Sequence, residues 1–221
     1  MNQNTATIAR PSASALATNK VIRNTYMLLS MTLLFSGVAA YAGVAMNASH
    51  GMALVADIAA IAMLWFVLPR TANSATGIPV IFAITGLLGF GLGPVLNYYL
   101  AINPSIVMTA LGGTGAIFLG LSTYALTTRK DFSFLAGFLM VGMFVILGAA
   151  LLNIFMGMPA MFLAINVGVI MIMSGFILFE TSNIVNGGET NYIMATASLF
   201  LSLLNMFQAL MHLLGAFGGD D

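Results

Sequence analysis

The sequence contains no cysteine, two histidines, and only six basic and six acidic residues in 221. Without cysteine there are no disulfides, no thiolate metal ligands and no thiol nucleophile. Charged residues make up 5% of the chain, whereas a soluble domain carries about a quarter. That is too little charge to cover a water-facing surface, so a soluble globular enzyme is excluded. No basic face exists to hold phosphates, which excludes nucleic-acid binding. The net charge is zero, so no strong field steers a partner. The chain has no HExxH or P-loop motif and no serine in a nucleophile-elbow context. Two histidines with few carboxylates form no metal-ligand spacing. No catalytic residue, metal site or cofactor is therefore expected. Intramembrane hydrolysis would need a catalytic pair, but Asp57 is the sole aspartate within an apolar run.

Apolar length is what the sequence has in abundance. Hydrophobic residues reach 60% and the mean hydropathy is +1.03. A spanning helix needs about 20 apolar residues. Runs of that kind fall at 24–46, 51–68, 78–100, 105–127, 133–155, 160–182 and 193–216. Short breaks with turn chemistry separate them, such as Asn103-Pro104 and Gly157-Met-Pro159. The expected fold is an all-α integral membrane protein, a bundle of seven transmembrane helices. Residues 1–22 are rich in Ser, Thr, Ala and Asn and show no apolar period. They are expected to form a polar, disordered cytoplasmic tail, ahead of a membrane domain over 23–217. Ala40-Tyr41-Ala42 resembles a signal cleavage site. The apolar run before it exceeds an h-region of about 7–15 residues, so the first helix is expected to be retained.

Lys and Arg set the orientation. Arg10, Lys20 and Arg23 precede the first span, Arg70 follows the second, and Arg129 and Lys130 follow the fourth. With seven spans all of them fall on one side, the cytoplasm. The N-terminus is then inside and the Asp220-Asp221 end outside.

Helices in lipid associate through small residues and interhelical hydrogen bonds. Gly89 and Gly93, four apart on the third span, form one face on which a neighbouring backbone can approach. Gly112, Ala116 and Gly120 repeat the spacing on the fourth. Pro94 removes a backbone donor, so a kink is expected near Gly93-Pro94.

Ionisable groups inside a bilayer are site candidates by default. Two acids qualify. Glu180 lies near the inner end of the sixth span, and Ser202 and Asn205 on the seventh are placed to receive it. A carboxyl held out of water in this way can work as a proton or cation switch, or it can simply reach the interface. Asp57, about two turns into the second span, is expected to face an outer vestibule, with His212 as a potential partner.

Several ordered motifs go beyond hydropathy. They are Lys20-Val-Ile-Arg-Asn-Thr-Tyr26, Thr85-Gly-Leu-Leu-Gly-Phe-Gly-Leu-Gly-Pro-Val-Leu-Asn97, Ala110-Leu-Gly-Gly-Thr-Gly-Ala-Ile-Phe118, Tyr124-Ala-Leu-Thr-Thr-Arg-Lys-Asp-Phe-Ser-Phe-Leu135, Phe179-Glu-Thr-Ser-Asn-Ile184 and Gly187-Gly-Glu-Thr-Asn-Tyr192. Together they resemble the Bax inhibitor-1 (TMBIM) family over nearly the whole chain after residue 18, and within it the bacterial YccA branch. The resemblance implies a seven-helix domain in the bacterial inner membrane. It also implies one of two activities: modulation of the membrane AAA protease FtsH, or a pH-sensitive calcium leak that uses an aspartate pair on the last two helices. Here Glu180 stands for the first aspartate and Ser202 for the second. The missing second acid removes a coupled carboxyl pair and favours the modulator. The implied partners are the bilayer and an FtsH-type complex, with calcium or protons tied to the alternative.

Overall fold

A computed structural model describes residues 13–218, and all of its regular structure is helical. The elements are α1 (Ala13–Ala45), α2 (His50–Ala62), a π turn (Met63–Val67), α3 (Leu68–Thr71), α4 (Gly77–Gly91), α5 (Gly93–Ile102), α6 (Pro104–Thr128), α7 (Leu135–Met156), α8 (Pro159–Val185) and α9 (Tyr192–Phe217). α2, the π turn and α3 run on as one apolar stretch, His50–Thr71, and α4 with α5 makes a second, bent by 40°. Counted this way the described residues contain seven helical stretches long and apolar enough to span a membrane.

The boundaries follow from local chemistry. The side-chain oxygen of Ser49 caps α2 by accepting from the Met52 amide at 3.2 Å. Asn103 caps α6 through Ser105, with Pro104 in the first turn, where its missing N–H costs nothing. Gly157 ends α7 at φ 60°, a left-handed conformation that glycine adopts without strain. Pro69 cannot donate to the carbonyl of Trp65, and the turn before it widens into π geometry, with the Leu68 amide reaching Met63. Pro94 acts in the same way one span later. It leaves the Phe90 carbonyl without its helical donor, and the chain breaks at Leu92.

α9 is the central helix and packs against α1, α4, α6 and α8. α1, α2 and the bent α4–α5 pair form one side of the bundle. α6, α7 and α8 form the other, with α7 resting on α8. Leu139 is the one buried side chain of α7. It sits over Gly175 of α8, while Ile172 of α8 sits over Gly142 in return. Side-chain polarity runs opposite to that of a soluble domain. Thr25, Thr32, Ser36, Thr85, Thr196 and Ser202 are buried, whereas Leu34, Trp65, Phe144 and Phe155 are exposed. Such a surface suits hydrocarbon, and the hydroxyls of Thr32, Thr85, Thr196 and Ser202 donate to helix carbonyls, whereas Thr25 Oγ1 has no partner among the described residues.

The glycines of α4 and α5 meet α1. A side chain at Gly89 would collide with the backbone carbonyl of Ser36, and one at Gly93 would lie 2.9 Å from the Gly43 carbonyl carbon. The Phe90 oxygen occupies the space where a Cβ on Gly43 would stand. Asn97 Nδ2 donates to Val44 across the same seam at 3.4 Å. The face Gly112, Ala116 and Gly120 behaves otherwise: it is exposed, and nothing lies within 4 Å of a Cβ at Gly112 or Gly120. α6 instead turns Ile106, Ala110, Thr114 and Phe118 inward. Residues two apart on a helix are about 200° around the axis, so the small-residue face points to lipid.

The expected tail also changes. Residues 13–22 form the first turns of α1 rather than irregular chain. The Ala-rich stretch from Ala13 to Ala17 is made of strong helix formers, and it needs no apolar period to be helical. Residues 1–12 and the Asp220-Asp221 end lie outside the described residues.

Candidate functional site at the basic end of the bundle

One end of the bundle gathers the start of α1, the α3–α4 connection, the α6–α7 loop and the α8–α9 loop. Asn191 joins two of these. Its side-chain oxygen caps α9 by accepting from Ile193 and Met194, and its Nδ2 donates to Ala72 O at 3.1 Å and to Asn73 Oδ1 at 2.8 Å. Ser182, near the end of α8, holds the α6–α7 loop. Its hydroxyl donates to Lys130 O at 2.8 Å and accepts from the Phe132 amide at 3.0 Å. Lys20, Arg23, Arg70, Arg129 and Lys130 all lie at this end, so every described Lys and Arg is here. Arg70 donates to the Phe66 carbonyl. In the α6–α7 loop, the carboxylate of Asp131 accepts from the Ser133 amide at 2.8 Å. That bond holds its pKa below the ordinary carboxylate value. A cleft of about 1050 Å³ opens between Lys20, Asn24, Arg129, Glu189 and Tyr192.

Glu180 lies just inside this end, half-buried between α8 and α9. The Ser198 hydroxyl faces its carboxyl, and Glu189 acts on it as a like charge. Next to it, Thr181 Oγ1 is 3.4 Å from Tyr26 Oη and 3.5 Å from Ser122 Oγ. Tyr26, Ser122 and Thr181 thus form a hydroxyl cluster between α1, α6 and α8 one residue along from Glu180. Ser202 and Asn205 are not its partners. Ser202 Oγ donates to Ser198 O at 3.0 Å and Asn205 Nδ2 to Leu201 O at 2.8 Å, both within α9. Depth explains the difference. At about 1.5 Å per residue, Glu180 is about 8 Å from the end of α8 and Ser198 about 9 Å from the start of α9. Ser202 is about 15 Å in and Asn205 about 20 Å. Sequence reasoning missed Ser198, although counting depth from the α8–α9 loop would have found it.

Asp57 and His212 are likewise apart. The Asp57 carboxylate packs on Gly91, at the end of α4 beside the bend, in the space a side chain there would fill. His212 Nδ1 and Tyr99 Oη share a hydrogen bond at 2.9 Å, and the imidazole meets the Phe162 ring at 5.2 Å between centroids. Asn205 and His212 instead line one cleft between α7, α8 and α9. No group of three or more His, Cys, Asp or Glu that would hold a metal ion occurs among the described residues.

These features define a multi-pass helical membrane protein with an inverted polarity and a half-buried carboxyl, facing the Ser198 hydroxyl, near its basic end. Comparison with known proteins gives the particular family. The family described as "Inhibitor of apoptosis-promoting Bax1" matches residues 18–219. A Vibrio cholerae protein named "Uncharacterized membrane protein" is 50% identical over 208 residues, covering 93% of each chain. The "Modulator of FtsH protease YccA" of Escherichia coli K12 is 52% identical over 204 residues, covering 91% of this chain and 92% of the relative. The E. coli O6:H1 protein at the same identity is named "Inner membrane protein YccA". The chain belongs to the Bax inhibitor-1 family, and it is a multi-pass protein of the inner membrane.

Proposed function

We propose that this chain is a non-enzymatic regulator that binds and modulates the membrane AAA protease FtsH. The observation that carries this reading is its 52% identity, over nearly its full length, to a protein named for that modulation. The positive-inside rule places the basic end in the cytoplasm, where an ATP-driven protease would meet it. α1 has 33 residues, about 50 Å of helix against a hydrocarbon core of about 30 Å. Its first turns therefore stand clear of the bilayer, and residues 1–22 offer the protease a polar handle. The close α1–α4 seam resists extraction of the rest. Deleting residues 2–18 should slow turnover of the chain by the protease while the bundle stays folded. Unchanged turnover, together with failure to co-purify with the protease from native membranes, would reject the reading.

A second reading rests on Glu180. A half-buried carboxyl between α8 and α9, with Glu189 adding a second negative charge nearby, is suited to a cation. A calcium leak would appear as pH-dependent flux into liposomes, abolished by Glu180→Gln. Flux equal to that of protein-free liposomes would eliminate it.

A further inference from the structure

The cleft of about 1050 Å³ at the basic end holds charges of both signs. Lys20 of α1, Arg129 at the end of α6 and Glu189 of the α8–α9 loop all line it. Among the described residues neither Lys20 nor Arg129 has a carboxylate within 4.0 Å. Asn24, one turn along α1 from Lys20, and Tyr192 add neutral polar groups.

The backbone holds two of the three charged residues in place. Arg129 caps α6 at φ 50°, a left-handed conformation usually left to glycine or asparagine. The strained turn brings a guanidinium to the cleft. The α8–α9 loop turns at Gly187, φ 78°, and the amides of Gly188 and Glu189 both donate to Asn183 O, at 2.8 and 3.2 Å. Glu189 Oε1 then accepts from the Asn191 amide at 2.6 Å. The carboxylate is fixed through one oxygen, which leaves the other for a ligand.

Depth decides the medium. Exposed Tyr41, one turn before the end of α1, suits the outer interface. Counted back from Ala45 at about 1.5 Å per residue, Asn24 lies about 31 Å and Lys20 about 37 Å along α1. The hydrocarbon core is about 30 Å thick, and the headgroup layers extend the bilayer to about 40–45 Å. Lys20 and Asn24 therefore stand among the headgroups of the inner leaflet. Ile22, Leu126 and Val185, on α1, α6 and α8, give the same cleft an apolar wall.

We propose that this cleft binds a phosphodiester carrying a primary ammonium, the headgroup of phosphatidylethanolamine. Lys20 and Arg129 hold the phosphodiester, Glu189 accepts from the ammonium, and the apolar wall takes the start of the acyl chains. Charge complementarity selects this headgroup. An anionic headgroup without an ammonium meets Glu189 as a like charge. The quaternary ammonium of choline has no N–H to donate, and Tyr192 is the one aromatic residue of the lining, too few for an aromatic cage. Soluble glycerophosphoethanolamine offers the same charges without the chains.

Native mass spectrometry of the full chain in detergent tests this, with phosphatidylethanolamine, phosphatidylcholine and phosphatidylglycerol of one chain length in equal amounts. The expected result is about tenfold stronger retention of phosphatidylethanolamine than of the other two, the scale of one charge-assisted hydrogen bond. Glu189→Gln keeps an oxygen for the Asn191 amide and should abolish the preference, with phosphatidylglycerol retained at least as well as by the parent. Arg129→Gly suits the left-handed turn and should weaken retention of both phosphatidylethanolamine and phosphatidylglycerol. Competition by glycerophosphoethanolamine at equal concentration would assign the site to the free headgroup, and failure to compete would assign it to the lipid. Equal retention of the three lipids, a preference for either of the other two, or a preference unchanged in both variants would overturn the proposal. No protease enters the measurement, so its outcome is separate from that of the protease reading.

Discussion

A single methyl group distinguishes the seam between α1 and α4–α5 from the lipid face of α6. In Gly93→Ala the new Cβ would lie 2.9 Å from the Gly43 carbonyl carbon and 3.0 Å from its Cα. Carbon atoms rest about 3.5–4.0 Å apart, so the helices must separate by roughly half an ångström or more. Both obstacles are backbone, and no rotamer change can absorb the clash. Overpacking of this kind costs about 1–3 kcal/mol. Gly89→Ala meets the Ser36 carbonyl and hydroxyl still more closely and should fall at the upper end of that range. Gly112→Ala and Gly120→Ala have nothing within 4 Å and should stay within about 0.5 kcal/mol of the parent. The pair Gly43→Ala with Gly93→Ala should cost less than the sum of the singles, because helices already parted for one methyl accept the other. Equilibrium unfolding in mixed micelles of dodecyl maltoside and SDS reads the five single variants, Gly43→Ala included, and the pair. Equal destabilisation by Gly93→Ala and Gly112→Ala would refute the packing argument, since both have the same sequence spacing and only the structure separates them.

Other consequences lie at the basic end. Asn191→Ala removes the α9 cap and the bonds to Ala72 and Asn73. It should cost about 1–2 kcal/mol in the same unfolding assay, and a loss under about 0.3 kcal/mol would contradict the bridging role. Ser182→Ala releases Lys130 O and the Phe132 amide, so trypsin should cut after Arg129 or Lys130 faster than in the parent. An unchanged cleavage rate would mean that the loop is held elsewhere. The depressed pKa of Asp131 comes first from the Ser133 amide bond. The contribution of this one bond is therefore fully present above the usual carboxylate pKa and is lost as pH falls through the lower folded-state value. The Ser133 amide resonance should titrate below the usual aspartate range and become pH-independent in Asp131→Asn. A midpoint at or above that range would contradict the assignment.

The spans were legible because apolar length and turn chemistry agree. Asn103-Pro104, Gly157-Met-Pro159 and the segment after Asn183 each interrupt a run where the helices in fact end. The bend at Leu92 had a local cause in Pro94 and could also be read locally. What failed needed a third dimension. Gly89–Gly93 and Gly112–Gly120 have the same period, but sequence alone does not say which face of a helix looks inward. Glu180 stood out as one of two acids within the spans, yet its partner depended on how α8 and α9 align across their loop, and that alignment selects Ser198 over Ser202. The separation of His212 from Asp57 follows from Tyr99 and Phe162, two aromatic residues that come from different helices and carry no motif. The start of α1 was missed because polar composition masked a strong local helix preference.

The central claim is that this protein works by contact with a membrane protease. Its most direct test is degradation of a membrane substrate by purified protease in proteoliposomes, with this chain added at increasing molar ratio. The account predicts a dose-dependent, saturating change in the degradation rate that is unaffected by Glu180→Gln. A rate that stays the same at saturating ratio, with both proteins shown to be folded and in the same bilayer, would contradict it.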